Sequence, residues 1–462
     1  MKKDIFAQES IFSEWQRIND ELSNNIVLRV KNKLFLAQQV DQNCEGFGSD
    51  SHQYQVKSKL SLKSVDALQI QLNCQLPTDY VQFITEIGNG GAGPYYGLVS
   101  LDQAVNKYDK YSINLPCLLS PDMTAEEWQT LCYLDDDCSD EEFEEVENKI
   151  HQGMIYLGTC GCTYDLMLVV NGSYSGRIVY THDWSDDLPP YQFSYEHSFL
   201  EWYERWLDEV ILGYNTSWFG HRMGGDENAL ILFYQNTDDI LKKIDGINGF
   251  MKLPNISSDA IQFLEQELLS NEASLENNQL SLSILNVLGK FAPNHITELL
   301  IKYLEGGYDS VESSLLTIIY RTQKEYLPKF KNIVLEVLGN TEQPESISFI
   351  GYILTELKSV RIEYFYHLFT HINSNVATTA IYAASHDKAL STKVHLLFKF
   401  VNSDDSRVSL QAIQVIAQTN KFYLDVLPYL ENAWQNYPTD PYIRDNITRY
   451  MQKFGKKSEK LK

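Results

Sequence analysis

The chain has 462 residues, room for two or three domains that each bury a core of their own. A formal net charge of −24 argues against nucleic acid as a direct partner, because binding phosphates requires a basic face. No apolar run approaches the ~18 residues of a membrane span, and no apolar stretch follows the two lysines of the start, so a soluble, cytoplasmic protein without a membrane partner is expected.

The charge is unevenly spread. Residues 1–250 hold 17 Lys and Arg against 39 Asp and Glu, a net of −22, whereas residues 251–462 hold 21 against 23, a net of −2. A basic partner, if there is one, should meet the first half. The seven cysteines are scattered, odd in number and without paired C-x-x-C spacing, as in a reducing compartment. Cys160 and Cys162 form a C-x-C, but no histidine or second pair follows at ligand spacing.

Residues 1–49 read as a helical extension. Ile11, Phe12, Trp15, Ile18 and Leu22 form one stripe, and a second apolar segment runs from Ile26 to Val40. The stretch from Asp41 to His52 is polar and glycine-containing, a linker by composition. A short helix is expected over Ser64–Leu72.

The most informative stretch is Leu76 to Leu98, LPTDYVQFITEIGNGGAGPYYGL. Pro77 fits a first helical position, and Tyr80, Phe83, Ile84 and Ile87 then fall on one helical stripe. Gly88 stands where a left-handed residue would end the helix, and Asn89, Gly90, Gly91 and Gly93 offer further positive-φ positions before Pro94 and an expected strand. Gly88, Gly90 and Gly93 also spell G-x-G-x-x-G. A dinucleotide site needs a strand before those glycines and a helix after them, and here the order is reversed.

The same stretch, a Leu76-Pro77-x-Asp-Tyr80 helix running into Gly88-Asn89-Gly90-Gly91-Ala-Gly93-Pro94-Tyr95-Tyr96-Gly97, closely resembles the defining segment of the SUKH superfamily, the Smi/Knr cell-wall-regulator family. A further match around Gly158 and Gly176 extends the resemblance over residues 50–212. It implies non-enzymatic protein-binding domains, many of them immunity proteins that neutralise toxins.

From Pro121 to Glu147 lies the strongest charge run, with no Lys or Arg between. Asp135, Asp136, Asp137, Asp140, Glu141, Glu142, Glu144 and Glu145 are candidate contacts for a basic partner; a solvated, solubilising face is the plainer alternative. A calcium loop would need a central glycine that the run lacks.

Strands are expected over Met154–Gly158, Tyr164–Val170 and Arg177–Thr181, the last two as an antiparallel hairpin, with the unbroken Leu166–Val170 run covered on both faces. His182-Asp183-Trp184 follows. It nominates neither a nucleophile nor an orienting partner, and Trp184 is a candidate partner contact. Ser198 and Glu201 suggest a capping box, opening an amphipathic helix with Phe199, Trp202, Tyr203, Trp206 and Val210.

Residues 213–255 read as a connecting segment, helical from about Glu227 to Ile244. Over residues 256–455 paired helices recur every 30–35 residues, with starts near Leu280, Val311, Ser346, Val376 and Val408, and they resemble HEAT-type repeats. His367 and His371 share an i, i+4 helix face without an accompanying acid. Residues 456–462 form a charged tail.

The expected fold is thus an α+β SUKH-like domain, a mostly antiparallel sheet with flanking helices, followed by an all-α solenoid of HEAT-like helix pairs. The expected function is an immunity protein that occludes a basic, nuclease-type toxin, or alternatively a scaffold or regulatory hub. No catalytic residue, cofactor, metal or small-molecule substrate is nominated.

Overall fold

The computed structural model describes residues 2–107, 112–135, 138–161, 163–182, 191–270, 279–307 and 310–456. The chain divides into two compact units, Met1–Ile256 and Ser257–Lys462.

The first unit opens with helices α1 (Lys2–Glu21) and α2 (Ile26–Val40), the latter capped by Asn25, whose side chain accepts from the Leu28 N–H. Asp41 to His52 is an ordered turn rather than a bare linker. The Asp41 carboxylate accepts from the Glu45 and Gly46 N–H groups and from the Tyr54 hydroxyl at 2.8 Å. Helix α3 (Leu62–Leu72) starts two residues before its expected start, because Ser61 caps it through the Ser64 N–H. Helices α4 (Thr78–Gln82), α5 (Leu101–Asn106), α6 (Ala125–Cys132) and α7 (Asp140–His151) lead to the sheet.

Strands β1 (Met154–Gly161), β2 (Tyr164–Val169), β3 (Ile178–Thr181) and β4 (Tyr191–Phe193) form an antiparallel sheet in that order. Leu168 pairs with Ile155 on one side and with Ile178 on the other. The two-residue period of a strand divides β2 between two cores. Leu166 and Leu168 join Ile178 and Tyr180 in a core with helix α8 (Phe199–Ile211), whereas Met167 and Val169 join Val179 and Phe193 in a core with Trp128 of α6 and Ile150 of α7. That double coverage is why the run is apolar at every position. Strand β4 is short, and sequence reasoning missed it.

Helix α8 seats the sheet. Phe199, Trp202, Tyr203 and Leu207 are buried to 0 %, and each such side chain contributes about 1.5–3 kcal/mol of transfer free energy. Ser198 caps α8 through the Glu201 N–H, but Glu201 reaches back to the His197 N–H, so the box closes one residue early. Its polar side is also buried. Lys33 of α2, 1 % exposed, donates to Glu204 at 2.8 Å and to Asp208 at 2.9 Å, while Arg29 forks onto Glu204 and Trp15 donates to Asp208.

The helix expected over Glu227–Ile244 is two helices, α9 (Glu227–Gln235) and α10 (Ile240–Gly249). Asp239 ends the continuity by capping α10, its carboxylate accepting from the Leu241 and Lys242 N–H groups.

The described elements of the second unit are all helices. It opens with α11 (Ser258–Ser270), then pairs α12 (Gln279–Phe291) with α13 (Pro293–Glu305), α14 (Glu312–Thr322) with α15 (Leu327–Asn340), and α16 (Pro344–Glu356) with α17 (Ile362–Phe365), which continues as a tighter 3-10 turn to Thr370. Next come α18 (Ser374–Ala384) with α19 (Leu390–Lys393) and its 3-10 continuation to Asn402, α20 (Ser406–Gln418) with α21 (Leu427–Asn436), and α22 (Pro441–Lys453). Helices α12, α14, α16, α18, α20 and α22 stack each on the next, as expected of a solenoid. Close approach needs small residues at the seam: a Cβ on Gly351 would stand 2.9 Å from the Ala383 Cβ. Among the described residues no helix is long and apolar enough to cross a membrane.

Candidate functional site

The glycine turn is an architectural joint. Pro77 is the residue before the first turn of α4, with Thr78 taking the first helical position. Tyr80, Phe83, Ile84 and Ile87 are buried, but the last five residues, Phe83–Ile87, wind as a wider π turn. Gly88 is extended, with φ −179°, and not left-handed. Its glycine is required by closeness, since a Cβ there would meet the Val56 Cβ at 2.5 Å.

Gly90, Gly91, Gly97 and Tyr95 take positive φ, whereas Asn89 and Gly93 do not. No strand follows: Gly91 forms isolated bridges to Val56 and Leu98. The N–H groups at the centre of the turn are already spent. Gly91 and Leu98 exchange N–H bonds of 2.8 and 2.7 Å, Ala92 donates to Gln55, and Gly97 donates to Pro94. Those groups cannot also cradle a phosphate. The remaining motif residues are structural too: Asn89 caps α5 through the Leu101 N–H, Leu76 donates to Gln69, and Tyr95 donates to Phe219. A Cβ on Gly158 would stand 2.5 Å from the Gly97 carbonyl, while Gly176 has φ +98°.

The acidic run is two capped helices. Thr124 and Glu127 box the start of α6, and Ser139 and Glu142 box the start of α7. The Glu142 carboxylate accepts from the Ser139 N–H and hydroxyl, and those bonds hold it below the usual carboxylate range. Glu142 therefore serves the helix start. Asp140, Glu141, Glu144 and Glu145 are exposed, as is Asp135, which accepts from the Tyr133 hydroxyl at 2.7 Å. Asp136, Asp137 and Trp184 lie outside the described residues, as do Cys162 and Asp183.

Among the described residues the remaining candidates do not assemble into a reactive group. His182 packs its ring 5.1 Å from that of Tyr164. Cys160 is buried, and burial pushes its thiol upward. His367 and His371 do not share a helix face, because the helix has tightened and ends at Thr370. His367 lies 3.2 Å from the Leu338 carbonyl, and His371 accepts from the Asn373 N–H.

Sequence reasoning missed an aromatic face. Phe47, Tyr96 and Trp218 are 48 %, 44 % and 49 % exposed, and they arise from three distant loops. The Phe47 and Tyr96 rings meet edge-on at 5.6 Å. Tyr96 lies against Gly161, whose hairpin partner Tyr164 meets Trp218 at 6.3 Å. His221 packs against both Tyr164 and Trp218, and burial, with His182 and Arg222 nearby, lowers it to about 4. The one signal in the sequence was a tryptophan inside the glycine-rich stretch 213–225. The second unit has its own aromatic row: Tyr320 on α14 meets Tyr352 on α16 at 5.5 Å, and Tyr382 on α18 is exposed.

Residues 59–205, which hold the glycine turn, the acidic helices, the sheet and half of α8, match the model of the SMI1 / KNR4 family (SUKH-1). No curated protein and no solved structure matches the chain. A helix delivered into a self-satisfied glycine turn, behind an antiparallel sheet sealed by α8, is thus the core of a domain that belongs to the SMI1 / KNR4 family (SUKH-1).

Proposed function

We propose that the protein is a non-enzymatic, cytoplasmic immunity protein that neutralises a cognate, basic, nuclease-type toxin by occlusion. The observation that supports this reading is α7: Asp140, Glu141, Glu144 and Glu145 project into water from a family domain within a half-chain of net charge −22. A toxin that holds a polyanionic substrate is basic, so an acidic inhibitor is steered to it and competes with nucleic acid for the same face. Inhibition is then binding alone. It calls for no bond cleavage, cofactor, metal or small-molecule substrate.

The test is charge reversal on α7, Glu141→Lys with Glu144→Lys and Glu145→Lys, leaving Glu142 to cap the helix. The association rate with the cognate toxin should fall about tenfold at low salt and little at high salt. An unchanged rate and salt slope remove α7 from the mechanism.

The aromatic row on α14, α16 and α18 favours a second reading, a scaffold or regulatory hub of the cell-wall-regulator kind, because Tyr-rich surfaces are common in protein interfaces. Affinity purification at two salt concentrations separates the two. A single basic partner lost at high salt supports the immunity reading; several neutral partners retained at high salt support the hub.

A further inference from the structure

Three half-exposed aromatic side chains on one face leave roughly 300 Å² of ring surface in water, given the 150–250 Å² each can bury. That is the scale at which an apolar patch on a single chain marks an interaction site. The patch is also shaped. Phe47 and Ser217, the residue before Trp218, line one cleft of about 400 Å³ together with Tyr54 and Val210.

The charge around it has one sign. Asp41 and Glu45 line this cleft, a neighbouring cleft of about 400 Å³ shares Asp41 and adds Asp50, and neither is lined by a lysine or an arginine. Two guanidinium groups of the same unit turn inward. Arg205 is ion-paired with Glu196 at 2.7 Å and with Glu209 at 2.8 Å, and Arg222 has its Nη1 buried. At the Phe47 end the aromatic face therefore opens onto a cleft lined by Asp41 and Glu45 and, among the described residues, by no lysine or arginine.

We infer that the face formed by Phe47, Tyr96, Tyr164 and Trp218, with its acidic cleft, is a docking surface for an arginine-bearing segment of a basic protein partner. Arginine suits it better than lysine. A guanidinium stacks on an indole or phenol face while its N–H groups reach carboxylates, whereas an ammonium is a compact, strongly hydrated charge.

The inference rests on the basic-partner reading, yet it places contact and steering on different sides of the sheet. Tyr164 packs with the core that α8 closes, and α6 and α7 pack on the opposite core. The acidic helix would then speed encounter, and the aromatic face would hold the complex.

The experiment uses the full chain and three labelled twelve-residue peptides that alternate glycine with arginine, lysine or glutamate, titrated at physiological salt. The arginine peptide should bind more tightly than the lysine peptide, and the glutamate peptide should not bind. Trp218→Ala and, separately, Phe47→Ala should each weaken the arginine peptide about fivefold to tenfold with an unchanged melting temperature, because both side chains are half in water. Phe47→Ala keeps the test decisive should Trp218→Ala disturb its loop.

Absent binding of the arginine peptide, equal binding of the glutamate peptide, or indifference to both substitutions overturns the inference. So does self-association of the chain that Trp218→Ala abolishes, which would make a second copy the occupant. The two readings fail separately. Loss of peptide binding on Trp218→Ala while α7 reversal leaves partner association unchanged removes the steering helix and keeps this face; the opposite pattern removes this face and keeps the helix.

Discussion

The two units solve burial differently. In the second, the buried polar residues among those described are small or neutral save Asp387: Ser281, Thr297, Gln323, Ser346 and Ser409 are typical, and the helices from α12 to α22 stack alternately one on the next. In the first, Lys33, Glu204, Glu209 and Lys252 are all under 10 % exposed, and the Lys33–Glu204 pair joins positions 171 residues apart. A repeat array spreads its stability over similar seams, whereas the first unit concentrates it at a few joints that tolerate no loss of a partner.

The sharpest way to break that contrast is at the glycine turn. Gly90→Ala puts a Cβ 2.3 Å from the Val99 carbonyl at φ +86°, and should cost more than about 3 kcal/mol, read as lost soluble yield or a collapsed urea midpoint. Gly213→Ala, at φ +69° with open space around it, should cost only about 1 kcal/mol. Equal costs would show that the turn's crowding is not what requires glycine.

Next in size is the α2–α8 joint. Lys33→Met leaves Glu204 and Asp208 with one cation fewer in a buried site and should destabilise the first unit by about 3 kcal/mol in denaturant unfolding. Burial opposes ionisation of Glu204, but its hydrogen bonds from Arg29 and Lys33 outweigh that and hold it below the usual range. Adding Arg29→Leu, Glu204→Leu and Asp208→Leu, which leaves no unpaired charge in the joint, should return much of the loss; no recovery would mean that packing of the lysine stem matters more than its charge.

The smallest effect is a pH dependence. His221 is lowered from 6.5 to about 4, so between those values the unfolded chain binds more protons than the folded one. Stability of the first unit should fall as pH drops through that window, by at most about 2 kcal/mol from this residue after solvent screening. Burial pushes His52 and His151 the same way. Unfolding midpoints at pH 7 and pH 5 should converge in His221→Asn; an unchanged gap would assign the dependence to the other two.

Much of the fold was legible because it is written in local periodicity. The all-apolar Leu166–Val170 run announced a doubly covered strand, and the recurring helix starts announced the stacked layer from α12 to α20. The helix expected across Glu227–Ile244 failed for an equally local reason, an Asp239 cap inside an apolar pattern. The candidate site was less legible. Glu142 lay among the acidic candidates, yet its box with Ser139 commits it to a helix start, while the exposed acids beside it remain free to face a partner.

The glycine turn shows where local reasoning ends. Its composition alone announced a sharp joint and, by resemblance, the domain. That position 88 must be glycine although it is extended follows from Val56 pressing against it, a contact between segments about thirty residues apart. The Lys33–Glu204 pair spans 171 positions, and the aromatic face gathers rings from near residues 47, 96, 164 and 218. Periodicity and capping act within a few residues and can be read along the chain. Desolvated charges and assembled surfaces are made by neighbours in space, which no spacing in the sequence records.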